Sequence, residues 1–417
     1  MAYTRRIVET ELDQLLNSAG AVLIEGPKAC GKTSTALQLA STSVRLDTDV
    51  NARQAAEIDP ALVLAGATPR LLDEWQMVPA LWNAVRAAVD DRGLDGQFIL
   101  TGSAVPADDV TRHSGALRIA RLRMRPMSLL ESGLSTGQVS LTGALAGNPV
   151  RAPDSGLTFD GLVEAVCRGG WPSSAQRALP VAQRALRDYL QTVARTDIHT
   201  VDGVTRDPAK VTDLLRSLGR HVATEATIAT LTTDVAGSEP MHRTTITDYL
   251  AALRRLMVIE DQPAWAPHLR STAIARKAAK RHFVDPSLAV AALGADPAAL
   301  RADLNFFGLL FESLVVRDLR IYAQTLEGQV QHYRDSTGLE VDALVSCPDQ
   351  RWAAFEIKLG TTPAILDAAA TGLKKFAETV DTTRTGAPAL LAIIVGSGYA
   401  YVRPDNVAVI PIGALGP

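Results

Sequence analysis

Residues 23–36 read LIEGPKACGKTSTA. An apolar run ends on Gly26, four residues follow, and Gly31, Lys32 and Thr33 open what the pattern predicts as a helix. This completes G-x-x-x-x-G-K-[ST], a phosphate loop. Glycines let backbone N–H groups close around phosphate oxygens, and the helix N-terminus adds a dipole that favours negative charge. Gly26, Pro27, Lys28, Ala29, Cys30, Gly31, Lys32, Thr33 and Ser34 are therefore the expected nucleotide cradle. Lys32 is expected to reach the β and γ phosphates of ATP, and Thr33 to ligate Mg²⁺.

Outward from this loop, the segments AVLIEG, SVRLDTD, RLLDEW, QFILTGS and LRIARLRMR recur over the first 130 residues, with helical stretches between the earlier ones. That alternation predicts an α/β fold with a parallel sheet covered on both faces. RLLDEWQ places Asp73 and Glu74 at a strand end. Asp73 is expected to help hold Mg²⁺ while Glu74 orients or deprotonates the attacking water, as phosphoryl transfer requires. In QFILTGS, Thr101 and Ser103 point to one face, and Ser103 is the candidate for sensing the γ-phosphate or the water. Arg121, Arg123 and Arg125 alternate with Leu122 and Met124, which fits an exposed ionic face or a contact with phosphate.

A chain of 417 residues implies roughly two to four domains. With 47% apolar and 21% charged residues it has a globular composition, and no apolar run reaches the roughly 18 to 20 residues that span a bilayer. The opening MAYTRRIVETELDQLL mixes acids and bases where a signal peptide needs an apolar core. A cytoplasmic protein with no membrane partner is expected. Cys30, Cys167 and Cys347 are too scattered for a disulfide framework or a zinc site. A net charge of -3 gives no global attraction to nucleic acid, so such binding would need local patches.

Four parts are expected along the chain. Residues 1–132 form the phosphate-loop core, and 133–206 a linker and helical lid, the Gly/Pro/Ser-rich tract 133–158 being the linker or a mobile insertion. Residues 207–267 offer three helices and a short strand pair, a winged-helix-like pattern. Ile246, Leu250, Leu253 and Met257 fall on one face of its third helix, leaving Arg243, Arg254 and Arg255 off that stripe. Residues 268–417 return to mixed α/β, with a long helix near 303–326 and strands at 329–334, 339–346, 352–359 and 390–396.

Within that last part, GLEVDALVSCPDQRWAAFEIKLG reads as a hairpin centred on Asp349. Antiparallel pairing then sets Asp342 opposite Glu356 and Glu340 opposite Lys358, all on one face. Asp342, Glu356 and Lys358 can bind Mg²⁺ or Mn²⁺, position a hydroxide and balance charge at a scissile phosphate, with Glu312 on the preceding helix as a further metal contact. A solvated face of cross-strand ion pairs and a catalytically silent scaffold are the alternatives. Upstream, Arg270, Arg276, Lys277, Lys280 and Arg281 form a run without an acid, either a solvated segment or one that follows a nucleic-acid backbone.

The series GPKACGKTS, LLDEWQMVP, LTGSAVP, RPMSLLE, CRGGWP, YLQTVARTDI, FVDPSL, FGLLFESLV and YRDSTGLEVDALV…FEIKLG resembles the bacterial and archaeal ATPase family that pairs an AAA-type domain (AAA_14) with a C-terminal domain called DUF4143. The resemblance runs in order over nearly the whole chain. It implies an AAA-like ATP-binding core, a winged-helix segment and a C-terminal domain similar to PD-(D/E)xK nucleases, whose D…E-x-K arrangement Asp342, Glu356 and Lys358 match. In the AAA class an arginine from a neighbouring subunit or from the lid often completes the site, so a homo-oligomer is in view and Arg168 and Arg195 are the candidates. The expected function is Mg²⁺-dependent binding and hydrolysis of ATP, whose nucleotide state controls a winged-helix and nuclease-like part acting on DNA or RNA. The alternative is a regulatory ATPase switch that binds a protein partner, its nuclease-like fold catalytically silent.

Overall fold

The structure, a computed structural model, describes residues 3–102, 115–235, 241–266 and 278–417. Its contacts divide the chain into two compact units. The first comprises residues 1–126, 197–205 and 252–258; the second comprises 127–196, 206–251 and 259–417.

The first unit is built on β1 (Ala21–Glu25), β2 (Thr42–Arg45), β3 (Arg70–Asp73), β4 (Phe98–Gly102) and β5 (Ile119–Arg123). They form one sheet in the order β2-β3-β4-β1-β5 with every pair parallel. β4 is buried at every position and β1 at all but the last, as strands covered on both faces must be. One face packs Leu23, Leu72, Phe98 and Leu100 against Trp75, Trp82 and Val85. β1 lies between β4 and β5, so the direction of winding reverses beside it, and ligands of such sheets bind at the strands' carboxyl ends at that point. The strand expected over SVRLDTD stops at Arg45, because Asp49 turns to cap the helix Val50–Ile58, accepting from the amide of Ala52.

In the second unit, β7 (Gln329–Arg334), β8 (Glu340–Ser346), β9 (Trp352–Lys358), β10 (Leu390–Val395), β11 (Tyr401–Val402) and β12 (Ala408–Pro411) form a mixed sheet ordered β11-β12-β10-β9-β8-β7. β7, β8 and β9 pair antiparallel, while β9, β10 and β12 pair parallel. The helix Pro363–Thr379 buries Leu366, Leu373 and Phe376 with Trp265, Trp352 and Val409. The long helix Leu304–Gln324 is buried from Leu310 to Ala323, its charged Glu312, Arg317, Asp318 and Arg320 included. Of the segment of three helices, Pro208–Arg220 and Ile228–Asp234 belong to this unit and Arg243–Arg255 does so as far as residue 251; the stripe Ile246, Leu250, Leu253 and Met257 is buried.

The tract 133–158 corrects the linker expectation. β6 (Val139–Ser140) pairs in parallel with β13 (Leu415–Gly416), and the helix Leu141–Leu145 buries Leu141 and Leu145. Ser135 and Ser140 donate to the carbonyls of Leu415 and Pro417 at 2.7 and 2.6 Å. The glycines that suggested a loop serve turns: Gly133, Gly137, Gly147 and Gly156 all have positive φ. Among the described residues, no helix is long and apolar enough to cross a membrane.

Candidate functional site

At the end of β1 the chain leaves no space at Gly26, where a Cβ would lie 2.3 Å from the Met124 carbonyl oxygen, and Gly31 takes φ 108°. Both positions therefore require glycine. Arg6 braces the loop from beneath, donating to the carbonyls of Cys30 and Arg125 at 2.8 Å. Lys32 opens the helix Lys32–Leu39 and folds back, its Nζ donating to the carbonyls of Gly26 and Pro27 at 2.9 Å. Lys28 points the other way and pairs with the buried carboxylate of Asp197 at 2.5 Å. Ala29 and Ser34 are exposed, and Cys30 is buried.

Asp73 is the centre of this site. Its Oδ1 accepts from Thr33 Oγ1 at 2.7 Å and also from Thr101 Oγ1, while Arg45 Nε lies 3.7 Å from Oδ2. The parallel register sets Asp73 beside Thr101, so three separate elements converge on one carboxylate. Sequence reading passed over Thr101 in favour of Ser103, which lies outside the described residues. A hydroxyl beside a carboxylate is an all-oxygen set suited to a hard cation, so these residues fit Mg²⁺. Glu74 has φ 54°, unusual for a non-glycine residue, and its carboxylate accepts from Gln76 Nε2. Of the arginine row, Arg121 pairs with Glu25 at 2.6 Å and lies over the Trp82 ring, the ionic-face alternative.

In the second unit, Arg168 donates to the carbonyls of Ser174 and Arg177, clamping the turn after its helix, and Arg195 is exposed in the π-helical turn Val193–Asp197. The β8–β9 hairpin pairs Ala343 with Phe355 and Ser346 with Trp352, the register that sets Asp342 against Glu356. Asp342 Oδ2 accepts from Lys358 Nζ at 3.0 Å and from the Ile357 amide at 2.8 Å, and Lys358 Nζ lies 2.6 Å from Glu356 Oε2. Glu312 joins through Lys280, whose Nζ is 2.6 Å from Glu312 Oε1 and 3.8 Å from Asp342 Oδ1. Glu340 pairs with Arg334 at 2.9 Å. The basic run needs correction too. Lys280 is buried in this cluster and Arg281 pairs with Asp261 at 2.7 Å, while Arg270, Arg276 and Lys277 lie outside the described residues.

Glu312, Asp342 and Glu356 face the ammonium groups of Lys280 and Lys358, and burial and charge shift the three carboxyls in different directions. Burial, then the charge of Asp342, pushes Glu312 up to about 8 and Glu356 up to about 7. Burial works to raise Asp342 as well, but Lys358, Lys280 and the Ile357 amide together hold it below the usual carboxylate range. Burial opposes the charge on both lysines, and the surrounding carboxylates outweigh it, raising both. Among the described residues, no group of three or more His, Cys, Asp or Glu side chains is arranged to hold a metal ion. Glu312, Asp342 and Glu356, the expected ligands of Mg²⁺ or Mn²⁺, are paired in this structure with the ammonium groups of Lys280 and Lys358.

A parallel sheet, a phosphate loop and an aspartate meeting the loop threonine are brought together in the first unit. Residues 18–132 match the family model of an AAA domain, 160–299 that of a domain of unknown function (DUF8612), and 307–415 that of a domain of unknown function (DUF4143). The chain is thus ATPase-like, with an AAA domain and a C-terminal DUF4143 domain. Uncharacterized proteins of Mycobacterium tuberculosis and Mycobacterium bovis are each 26% identical over 417 residues, 99% of this chain and 84% of the relative. Similar solved structures include the replication initiator DnaA bound to AMPPCP and single-stranded DNA, at 11% identity and TM-score 0.25 over 60% of this chain and 86% of that one. Another is Can2 from Sulfobacillus thermosulfidooxidans in complex with cyclic tetra-adenylate, at 10% identity and TM-score 0.17 over 92% of this chain and 89% of that one. At those scores neither bears on the site.

Proposed function

We propose that this chain is a cytoplasmic Mg²⁺-dependent ATPase switch whose nucleotide state governs the binding of a protein partner, its nuclease-like C-terminal fold being catalytically silent. The convergence of Thr33 and Thr101 on Asp73, beside Glu74 and the phosphate loop, carries the first half of this reading. Lys32 exchanges the carbonyls of Gly26 and Pro27 for phosphate oxygens, a better partner for an ammonium group. Thr33 and Asp73 would hold Mg²⁺, which when bound offsets phosphate charge. Glu74, oriented by Gln76, aligns the attacking water and takes its proton. The segments expected as helical lid and winged helix serve in this reading as the surfaces that respond, and an arginine of a neighbouring copy completing the site is compatible with it.

The second half rests on the lysines between the C-terminal carboxylates. Action on nucleic acid, the reading the sequence favours, loses support where Lys280 and Arg281 are consumed by ion pairs and Arg255 donates to the Val201 carbonyl at 3.1 Å. Lys32→Ala is expected to lose ATP binding. Glu74→Gln is expected to bind ATP but hydrolyse it about 100-fold more slowly or worse, the usual scale for a lost general base. Unchanged steady-state turnover in Glu74→Gln would remove its assigned role.

A further inference from the structure

Lys280 does not belong to the D…E-x-K pattern, yet it occupies the middle of the cluster. Its Nζ sits 2.6 Å from Glu312 and 3.8 Å from Asp342, carboxylates supplied by the long helix and by β8. Its backbone is pinned, because Lys280 and Gln262 exchange reciprocal amide-to-carbonyl bonds of 3.0 and 2.9 Å. Gln262 is pinned in turn. Its Nε2 donates to the carbonyls of Gln331 and Asp342 at 3.0 Å, and its Oε1 lies 3.1 Å from His282 Nε2. The lysine side chain is only 9% exposed. Placing several carboxylates in such a setting without a counter-charge carries a large desolvation cost, so something cationic must stand among them.

We propose that Lys280 is the resident cation of this cluster, standing where a divalent ion would otherwise bridge Glu312 and Asp342 and so keeping the site free of metal. A metal ion entering here would have to share its carboxylates with a tethered ammonium of like charge. Lys358 balances the Asp342–Glu356 side in the same way, but it is the lysine the pattern already contains; Lys280 is the one that fills the remaining place. Removing its amine should convert the cluster into a metal site, since three carboxyls would then face a single ammonium group.

The inference deepens the silent-fold half of the proposed function and is independent of the ATP half, so its test uses nucleotide-free, full-length protein and reads bound Mn²⁺ by electron paramagnetic resonance. Wild type and Asp342→Asn are expected to bind the same amount, whereas Lys280→Ala is expected to gain one Mn²⁺ site that the added Asp342→Asn abolishes. Lys280→Arg, which keeps the charge, is expected to gain none. Mn²⁺ bound by wild type and lost on Asp342→Asn or Glu356→Gln would overturn the inference, as would a folded Lys280→Ala that gains no site. The wild-type comparison decides the matter even where Lys280→Ala does not fold. Mn²⁺ binding without cleavage of nucleic acid ends this inference alone; cleavage by wild type ends the silent-fold reading as well.

Discussion

Glu312 and Glu356 titrate where the cell lives, and the sign of the effect follows from their shifts. An unfolded glutamate titrates near 4.5, against about 8 and about 7 for these two in the folded protein. Between those values the folded state holds more protons, so their contribution is fully present below about 4.5 and is lost as pH rises through 7 and 8. Asp342, shifted down, contributes above its ordinary value and is lost on acidification. The melting temperature is expected to fall between about pH 6 and pH 8.5, and Glu312→Gln to flatten that fall. An unchanged slope in Glu312→Gln, measured by thermal denaturation across that range, would show that this carboxyl does not hold the proton. The phosphate loop was legible in the sequence because its chemistry lies in consecutive residues. Thr101 and Lys280 were not, since one is placed by strand register and the other by a bridge to Gln262.

Among the elements, β7 to β10 fell where the alternation and turn chemistry put them, and the hairpin register followed from Asp349 alone. The tract 133–158 did not, because its apolar residues follow neither a helical nor a strand period; they pack singly from a path bent by glycines. Leu141, fully buried in the helix Leu141–Leu145, separates the two descriptions. In a packed strap Leu141→Ala costs about 2–5 kcal/mol of stability; in a linker it costs less than about 0.5 kcal/mol. Urea unfolding of the variant is expected to give the larger loss. Arg243 and Arg254 are exposed on the helix Arg243–Arg255, while Arg255 is tied to Val201, so the basic face of that helix is narrower than its spacing suggests.

For the whole molecule, a net charge of -3, with Lys280 and Arg281 held in ion pairs, predicts little affinity for polyanions. Fluorescence anisotropy with duplex DNA is expected to show no binding at about 0.15 M salt. Tight binding with a steep dependence on salt would restore the nucleic-acid reading. The first unit also has a history written into its chain order, for its three segments end at residues 126, 205 and 258. A ribosome adding about 5–20 residues per second delivers Val258 on the order of ten seconds after Pro126. For part of that interval Lys28 has been synthesised and its partner Asp197 has not. The phosphate loop is therefore complete in sequence before Asp197 exists, and the Lys28–Asp197 pair closes only after a later segment of the unit has been made.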